Sequence, residues 1–141
     1  MKNAKLVALL DSNEKLLFAD KVKKFRSNCT WKQDRILVIT TENIYNVKKD
    51  KVKRCMKIES LGGVTKSLLG AKTEFIIHIP KEYDYRYLSE KRTEVIEILK
   101  HRFAEKMNDN LPIYGVEKDR TNEFMTIEKD MKRGVSKMPP S

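Results

Sequence analysis

The sequence predicts a mainly β fold of the α+β class, with six or seven short strands followed by one amphipathic helix. Three observations predict it. Ile36-Leu37-Val38-Ile39 and Phe75-Ile76-Ile77 are short apolar runs rich in β-branched residues and bounded by turn residues. Val52 to Ile58 alternates apolar and charged positions with the period of two that a half-buried strand requires. Beyond Pro80 the apolar spacing changes to three and four, at Val95, Ile96, Leu99 and Phe103, which is the period of a helix.

Taken in order, Leu16-Leu17-Phe18 and Lys21 to Phe25 read as a first strand, with Val22 interrupting the charges and Phe25 pointing inward. Ser27 to Gln33 reads as a loop, on Ser27, Asn28 and Thr30. Arg35 to Thr41 is a short buried strand, and Asn43 to Val47 the next, closed by a basic hairpin tip at Lys48-Lys49-Asp50-Lys51. In the following strand Val52, Arg54, Met56 and Ile58 share one face, with Lys51, Lys53, Cys55 and Lys57 on the other. A bend at Gly62-Gly63 leads into a strand within Leu61 to Leu69, and Gly70-Ala71-Lys72 turns into Thr73 to Ile79, which Pro80 stops. Ser89 is placed to cap a helix running to Lys106. Glu90 near its start and Lys100, His101 and Arg102 near its end suit the helix dipole. A sheet this long must close or pack on itself, and one amphipathic helix can plug an open end. The expected organisation is a lead-in at 1–13 with a short helix or strand, one domain at 14–107, and a polar extension at 108–141. In that extension Leu111, Ile113, Tyr114 and Val116 can pack back, and Thr121 to Met131 reads as a marginal helix.

At 141 residues the chain is one ordinary domain, and 40% hydrophobic content supplies its core. A mean hydropathy of −0.60 and apolar runs this short exclude a membrane-spanning helix. The apolar patch after Lys5 ends at Asp11, too early for a secretory peptide, and neither Lys2 nor Ser141 fits a lipidation signal. Cys29 and Cys55 make no disulfide framework and read as reduced thiols of a cytosolic protein. The net charge of +10 is concentrated. Residues 21–57 hold twelve Lys and Arg side chains against Asp34, Glu42 and Asp50, so this stretch carries nearly all of the surplus. Such a field attracts polyanions, either nucleic acid or an anionic lipid surface.

Catalytic and metal signatures are missing from the sequence. Gly62-Gly63 lacks the spacing of a phosphate-cradling loop, and Cys29 with Cys55 gives no zinc pattern. His78, inside Phe75-Ile76-Ile77-His78-Ile79, reads as a satisfied structural histidine, and nothing pairs it with Cys29 as a nucleophile. Glu82 and Asp84 lie among Tyr83, Tyr85 and Tyr87 in what reads as a solvent-facing loop. No enzyme and no cofactor are expected. The basic residues fall into two groups, Lys21 to Arg35 and Lys48 to Lys57, which adjacent hairpins can bring to one edge. Lys and Arg donors at a loop mouth suit the dense charge of phosphomonoesters. Trp31 between them reads either as an interfacial indole or as a partly buried loop aromatic.

At these residues the chain resembles the pleckstrin-homology-like tail-homology-1 domain of class I myosins. The resemblance rests on Val22-Lys23-Lys24-Phe25, on Asp34-Arg35-Ile36-Leu37-Val38-Ile39-Thr40, and on Asn43-Ile44-Tyr45 before the basic turn. It continues through Lys51-Val52-Lys53-Arg54, Ile58, Leu61, Gly63-Val64-Thr65, Ser67-Leu68, Phe75 to Ile79 and the helix at Glu94 to Leu99. It covers roughly Glu14 to Phe103, and the segment after Met107 has no counterpart in it. The resemblance implies a pleckstrin-homology-like barrel of about seven antiparallel strands capped by one C-terminal helix. It also implies membrane binding in which Lys24 and Arg35 form the phosphoinositide signature. Around that pair, Lys21, Lys23, Arg26 and Lys32 are expected to contact the headgroup, with Trp31, Lys48, Lys49 and Lys51 supporting membrane contact.

The expected function is therefore a phosphoinositide or anionic-lipid binding module, cytoplasmic and peripheral at membranes. Its footprint is a saturable, headgroup-dependent affinity that weakens with salt. The alternative is a protein-interaction adaptor that uses the groove beside the helix, for which charge reversal at Lys24 would leave partner binding intact. Nucleic acid is disfavoured, because Phe25, Trp31 and Tyr45 are not spaced as a base-stacking platform.

Overall fold

The computed structural model describes residues 13–25, 31–70, 72–118 and 120–139. The strands are β1 (Leu16–Phe25), β2 (Lys32–Thr40), β3 (Asn43–Lys48), β4 (Lys51–Lys57), β5 (Gly63–Ser67), β6 (Glu74–His78) and β7 (Tyr85–Leu88). Helix α1 (Arg92–Met107), strand β8 (Ile113–Val116) and the short helix α2 (Glu128–Lys132) complete the chain. The strands form one sheet in the order β4-β3-β2-β1-β7-β6-β5-β8.

The mainly β architecture with a packed helix agrees with the expectation, but its details differ. Among the described residues there are eight strands, the sheet they form is open because β4 and β8 are its two edges, and β8 pairs parallel to β5. The aromatic stretch read as a loop contains β7, and its Asp84 does not face water. Asp84 is 2% exposed, and its carboxylate accepts from the amides of Ile79 and Thr126 while holding His78 Nδ1 at 2.7 Å. A carboxylate given that many partners tolerates burial, which is why its charge was a misleading loop signal. Lys32 and Gln33 belong to β2 rather than to the preceding loop. The strand expected within Leu61 to Leu69 is shorter, after a 3-10 turn at Ile58–Ser60. Ser89 does not cap α1; its hydroxyl accepts the Lys91 amide, and the helix begins at Arg92. In place of one marginal helix there are a 3-10 turn at Asn122–Phe124 and α2.

Strand alternation sorts the core. Leu37, Ile39, Ile44, Met56, Phe75, Ile77 and Tyr87 point inward, and α1 lays Val95, Ile96, Leu99 and Phe103 against them. The C-terminal end of α1 is fastened to the β2–β3 turn: Arg102 Nε donates to Thr41 O at 3.1 Å, and Lys106 pairs with Glu42. In an antiparallel arrangement that turn lies at the opposite end of the strands from the β1–β2 and β3–β4 tips. The helix thus plugs one end and leaves the other open.

β6 is buried on both faces. Glu74, Ile76 and His78 point outward and are buried too, Thr121 bonding Glu74 and the Tyr114 ring lying edge-on to His78. Glu74 accepts from Arg86 Nε at 2.9 Å and from the Thr121 amide and hydroxyl at 2.5 and 2.7 Å. His78 is the satisfied histidine expected, held between Asp84 and the Thr65 hydroxyl at 2.6 Å. That Asp–His–Thr chain has the connectivity of a nucleophile relay. Thr65 is 0% exposed, however, and its hydroxyl meets no solvent.

Candidate functional site

The pleat decides which basic residues can meet. Along β1, Val22 and Lys24 face inward while Lys21 and Lys23 face outward. Lys24 lies opposite Gln33 of β2 and Tyr87 of β7, so it projects into the open end of the sheet. Gln33 and Arg35 are two apart on β2 and share that face.

Gln33 Oε1 lies 3.5 Å from Lys24 Nζ and 3.2 Å from Arg35 Nη2, so one neutral acceptor joins the two cations. Arg35 Nη1 also donates to Asp34 O at 2.8 Å. A third cation closes the cluster from β4. The Arg54 guanidinium stacks 4.0 Å from the Tyr83 ring and 4.6 Å from the Tyr85 ring, whose centroid is also 4.8 Å from Lys24 Nζ. Arg54 Nη2 donates to Tyr83 O at 2.8 Å and to Glu82 at 3.1 Å, and its side chain is only 7% exposed. Burial pushes the Tyr83 and Tyr87 hydroxyls above their ordinary range, while Arg54 opposes the shift at both and Arg35 also does so at Tyr87.

The cluster is short of partners. Arg35 Nε, Arg54 Nε and Nη1, Asn46 Oδ1 and the Tyr87 hydroxyl are buried without a hydrogen bond, and Asn46 lies opposite Arg54 in the β3–β4 register. Unpartnered donors on buried cations are costly. They are concentrated at one open end, beside the half-exposed carboxylate of Glu82, in an arrangement whose free donors can accept an anion.

The other expected contacts lie elsewhere. Lys21 and Lys23 are on the outer face, where Lys23 pairs with Asp34 and holds that carboxyl below its ordinary range. Lys32 starts β2, exposed and 6.0 Å from the Phe25 ring. Lys48, Lys49 and Lys51 are exposed at the β3–β4 tip, and Lys49 takes the left-handed conformation the tight turn needs. Trp31 is 71% exposed, so the partly buried alternative is not what is found. Arg26 and Cys29 lie outside the described residues, as does the lead-in through residue 12.

Sequence reasoning missed Gln33, Arg54, Asn46 and the three tyrosines as parts of one site. Arg54 carried a usable signal, since a cation on the apolar face of an alternating strand has to meet something inside. The tyrosines carried one too, in their period of two.

Among the described residues, no group of His, Cys, Asp or Glu side chains gathers to hold a metal, and no helix is long and apolar enough to cross a membrane. The family model described as unconventional myosin tail, actin- and lipid-binding, matches residues 1–133, including most of the segment after α1. No curated protein matches the chain significantly in sequence. In structure the chain is similar to the hSac2 domain of human phosphoinositide phosphatase Sac2, at TM-score 0.62 and 15% identity over 84% of this chain and 87% of that one. It is also similar to the pleckstrin homology domain of human KIAA0053 protein, at TM-score 0.52 and 18% identity over 67% and 94%. A DH/PH fragment of PDZRHOGEF, solved with human RhoA, gives TM-score 0.56 and 13% identity over 72% of this chain and 32% of that one. At such identities these likenesses speak for the fold, which is pleckstrin-homology-like.

Proposed function

The chain belongs to the unconventional myosin tail family described as actin- and lipid-binding, and from that premise we propose that its open end binds a phosphoinositide headgroup and docks the protein on the cytoplasmic face of membranes. The observation that carries this reading is the convergence of Lys24 and Arg35 on one neutral acceptor, Gln33 Oε1, with donors of Arg35 and Arg54 left unpartnered beside it. A phosphate entering there replaces Gln33 as acceptor and supplies the missing partners of both guanidiniums, which offsets part of the cost of burying them. The exposed lysines of the β3–β4 tip and Lys32 add a screened attraction of about 1 kcal/mol each to an anionic surface. Trp31 is exposed where an indole can enter the interfacial layer.

The test is vesicle binding at near-physiological salt, with and without a few per cent phosphatidylinositol bisphosphate, the background being matched in total charge. Lys24→Ala with Arg35→Ala should abolish the phosphoinositide-dependent part while the fold, followed by circular dichroism, is kept. Equal binding to every anionic vesicle, indifferent to the double substitution, would reduce the site to a diffuse field. Absence of vesicle binding would move the function to a protein partner, with actin first because the family description names it.

A further inference from the structure

An arginine three residues before a serine is a pattern that basophilic kinases read, because carboxylates in the substrate groove bind the guanidinium. The chain holds that pattern twice, at Arg86-Tyr87-Leu88-Ser89 and at Arg133-Gly134-Val135-Ser136. The fold separates the two. Arg86 and Ser89 are 2% and 4% exposed; Arg86 is held by Glu74, and the Ser89 hydroxyl accepts the Lys91 amide. From Lys132 to Ser136, by contrast, every residue is exposed. Lys132 places a second cation four residues before the serine, and Gly134, at φ +69°, has open space where a side chain would lie.

Ser136 follows α2, a helix of only five residues. The turn that ends it is closed by the Gly134 amide on Met131 O at 3.1 Å and the Val135 amide on Asp130 O at 2.9 Å. Both bonds lie within the segment, so they can open to present an extended peptide while the sheet stays intact. The serine is also tied to the loop that walls the open end. It shares a small cavity with Pro80, Asp84 and Thr126. The Lys137 amide donates to Thr126 Oγ1 at 2.7 Å, and Thr126 O accepts the Asp84 amide at 2.8 Å. The residue before Asp84 is Tyr83, whose carbonyl holds Arg54. Residues 128–137 carry Lys129, Lys132, Arg133 and Lys137 against Glu128 and Asp130, a surplus of two positive charges. A phosphoserine of about −1.5 to −2 at pH 7 cancels it.

We propose that Ser136 is a phosphorylation site for a basophilic kinase, and that its phosphate weakens the hold of the domain on anionic membranes. In the transfer, Ser136 Oγ attacks the γ-phosphorus of magnesium-bound ATP, and the bond from that phosphorus to the β-phosphate oxygen breaks. ADP leaves, and the catalytic aspartate of the kinase takes the hydroxyl proton. The modified segment no longer adds to the positive field beside the Arg54 loop, so attraction to an anionic surface falls. The site stands on the sequence pattern and its exposure alone; the effect on membranes rests on the proposed function.

The experiment treats the full chain with the catalytic domain of a calcium–calmodulin-dependent kinase and magnesium-bound ATP, and reads the intact mass and the modified peptide by mass spectrometry. One phosphate should enter, at Ser136. Ser136→Ala should abolish it, and Arg133→Gln should slow it at least tenfold, with circular dichroism unchanged in both. No incorporation would overturn the site. Label on buried Ser89 as well would show the kinase reading unfolded chain, and would overturn the argument from exposure. The phosphorylated and untreated proteins are then compared on vesicles carrying phosphatidylinositol bisphosphate at near-physiological salt. Affinity should fall at least fivefold, the effect of about one elementary charge near the surface, and phosphatase treatment should restore it. A change below twofold would overturn the effect on membranes and leave both the site and the proposed function standing. Absence of vesicle binding by the untreated protein would overturn that effect together with the proposed function, while the mass still decides the site.

Discussion

Arg54→Met keeps the length of the side chain and withdraws the guanidinium from the open end. In the folded protein that guanidinium donates to Tyr83 O at 2.8 Å and to Glu82 at 3.1 Å, and Glu82 is 48% exposed. The carbonyl bond to a charged donor is worth about 1.5–3 kcal/mol, and the half-exposed ion pair less than about 1 kcal/mol. The two ring contacts add roughly 0.5–1 kcal/mol each. On the other side, Nε and Nη1 are buried without partners at about 1–3 kcal/mol each, and the substitution removes that cost. A thioether beside Tyr83 and Tyr85 recovers part of the lost contact. The opposing contributions cancel to within about 2 kcal/mol, so stability to urea should change by less than that. Vesicle affinity for phosphoinositide should fall at least tenfold, the cost of about 1.4 kcal/mol of lost contact. Urea unfolding followed by circular dichroism and vesicle co-sedimentation measure the two effects separately. A loss of about 3–5 kcal/mol, as on breaking a structural buried ion pair, together with unchanged vesicle binding, would refute the reasoning and make Arg54 a structural residue.

Gln33→Glu puts a carboxylate between Lys24 and Arg35; stability should rise by up to about 1 kcal/mol while phosphoinositide binding drops at least tenfold, checked by the same two assays. Thr121→Val removes the hydroxyl bonded to Glu74, which is 7% exposed, and should cost about 1–2 kcal/mol with vesicle binding unchanged. Asp130 is held below the ordinary aspartate value of 3.8, first by the Ile127 amide and then by Lys137 at 3.2 Å. Because its folded value is depressed, its contribution is full above 3.8 and is lost as pH falls through the lower folded value. Amide exchange in α2 should therefore accelerate on acidification over that window, and Asp130→Asn should flatten the dependence.

Much of the fold was legible because it is written in local periods. The alternation of Val52 to Ile58 set β4, and the three-and-four spacing of Val95, Ile96, Leu99 and Phe103 set α1, to within a few residues at either end. The basic surplus between residues 21 and 57, and the positions of Lys24 and Arg35 on facing strands, could be read without coordinates because charge and strand parity are local properties too. Other features depend on partners distant in the chain. β8 was invisible as a strand because its ladder is completed by β5, across the whole of α1. Asp84 looked solvent-facing because His78 and Thr126, which make its burial tolerable, come from separate segments. The pleat, acting on known neighbours, sent Lys23 and Lys24 to opposite faces. Only the closing of one end by α1 left the other for Lys24, Arg35 and Arg54 to share. Backbone period and charge density are set residue by residue, whereas which buried cations lack a partner depends on the whole packed sheet.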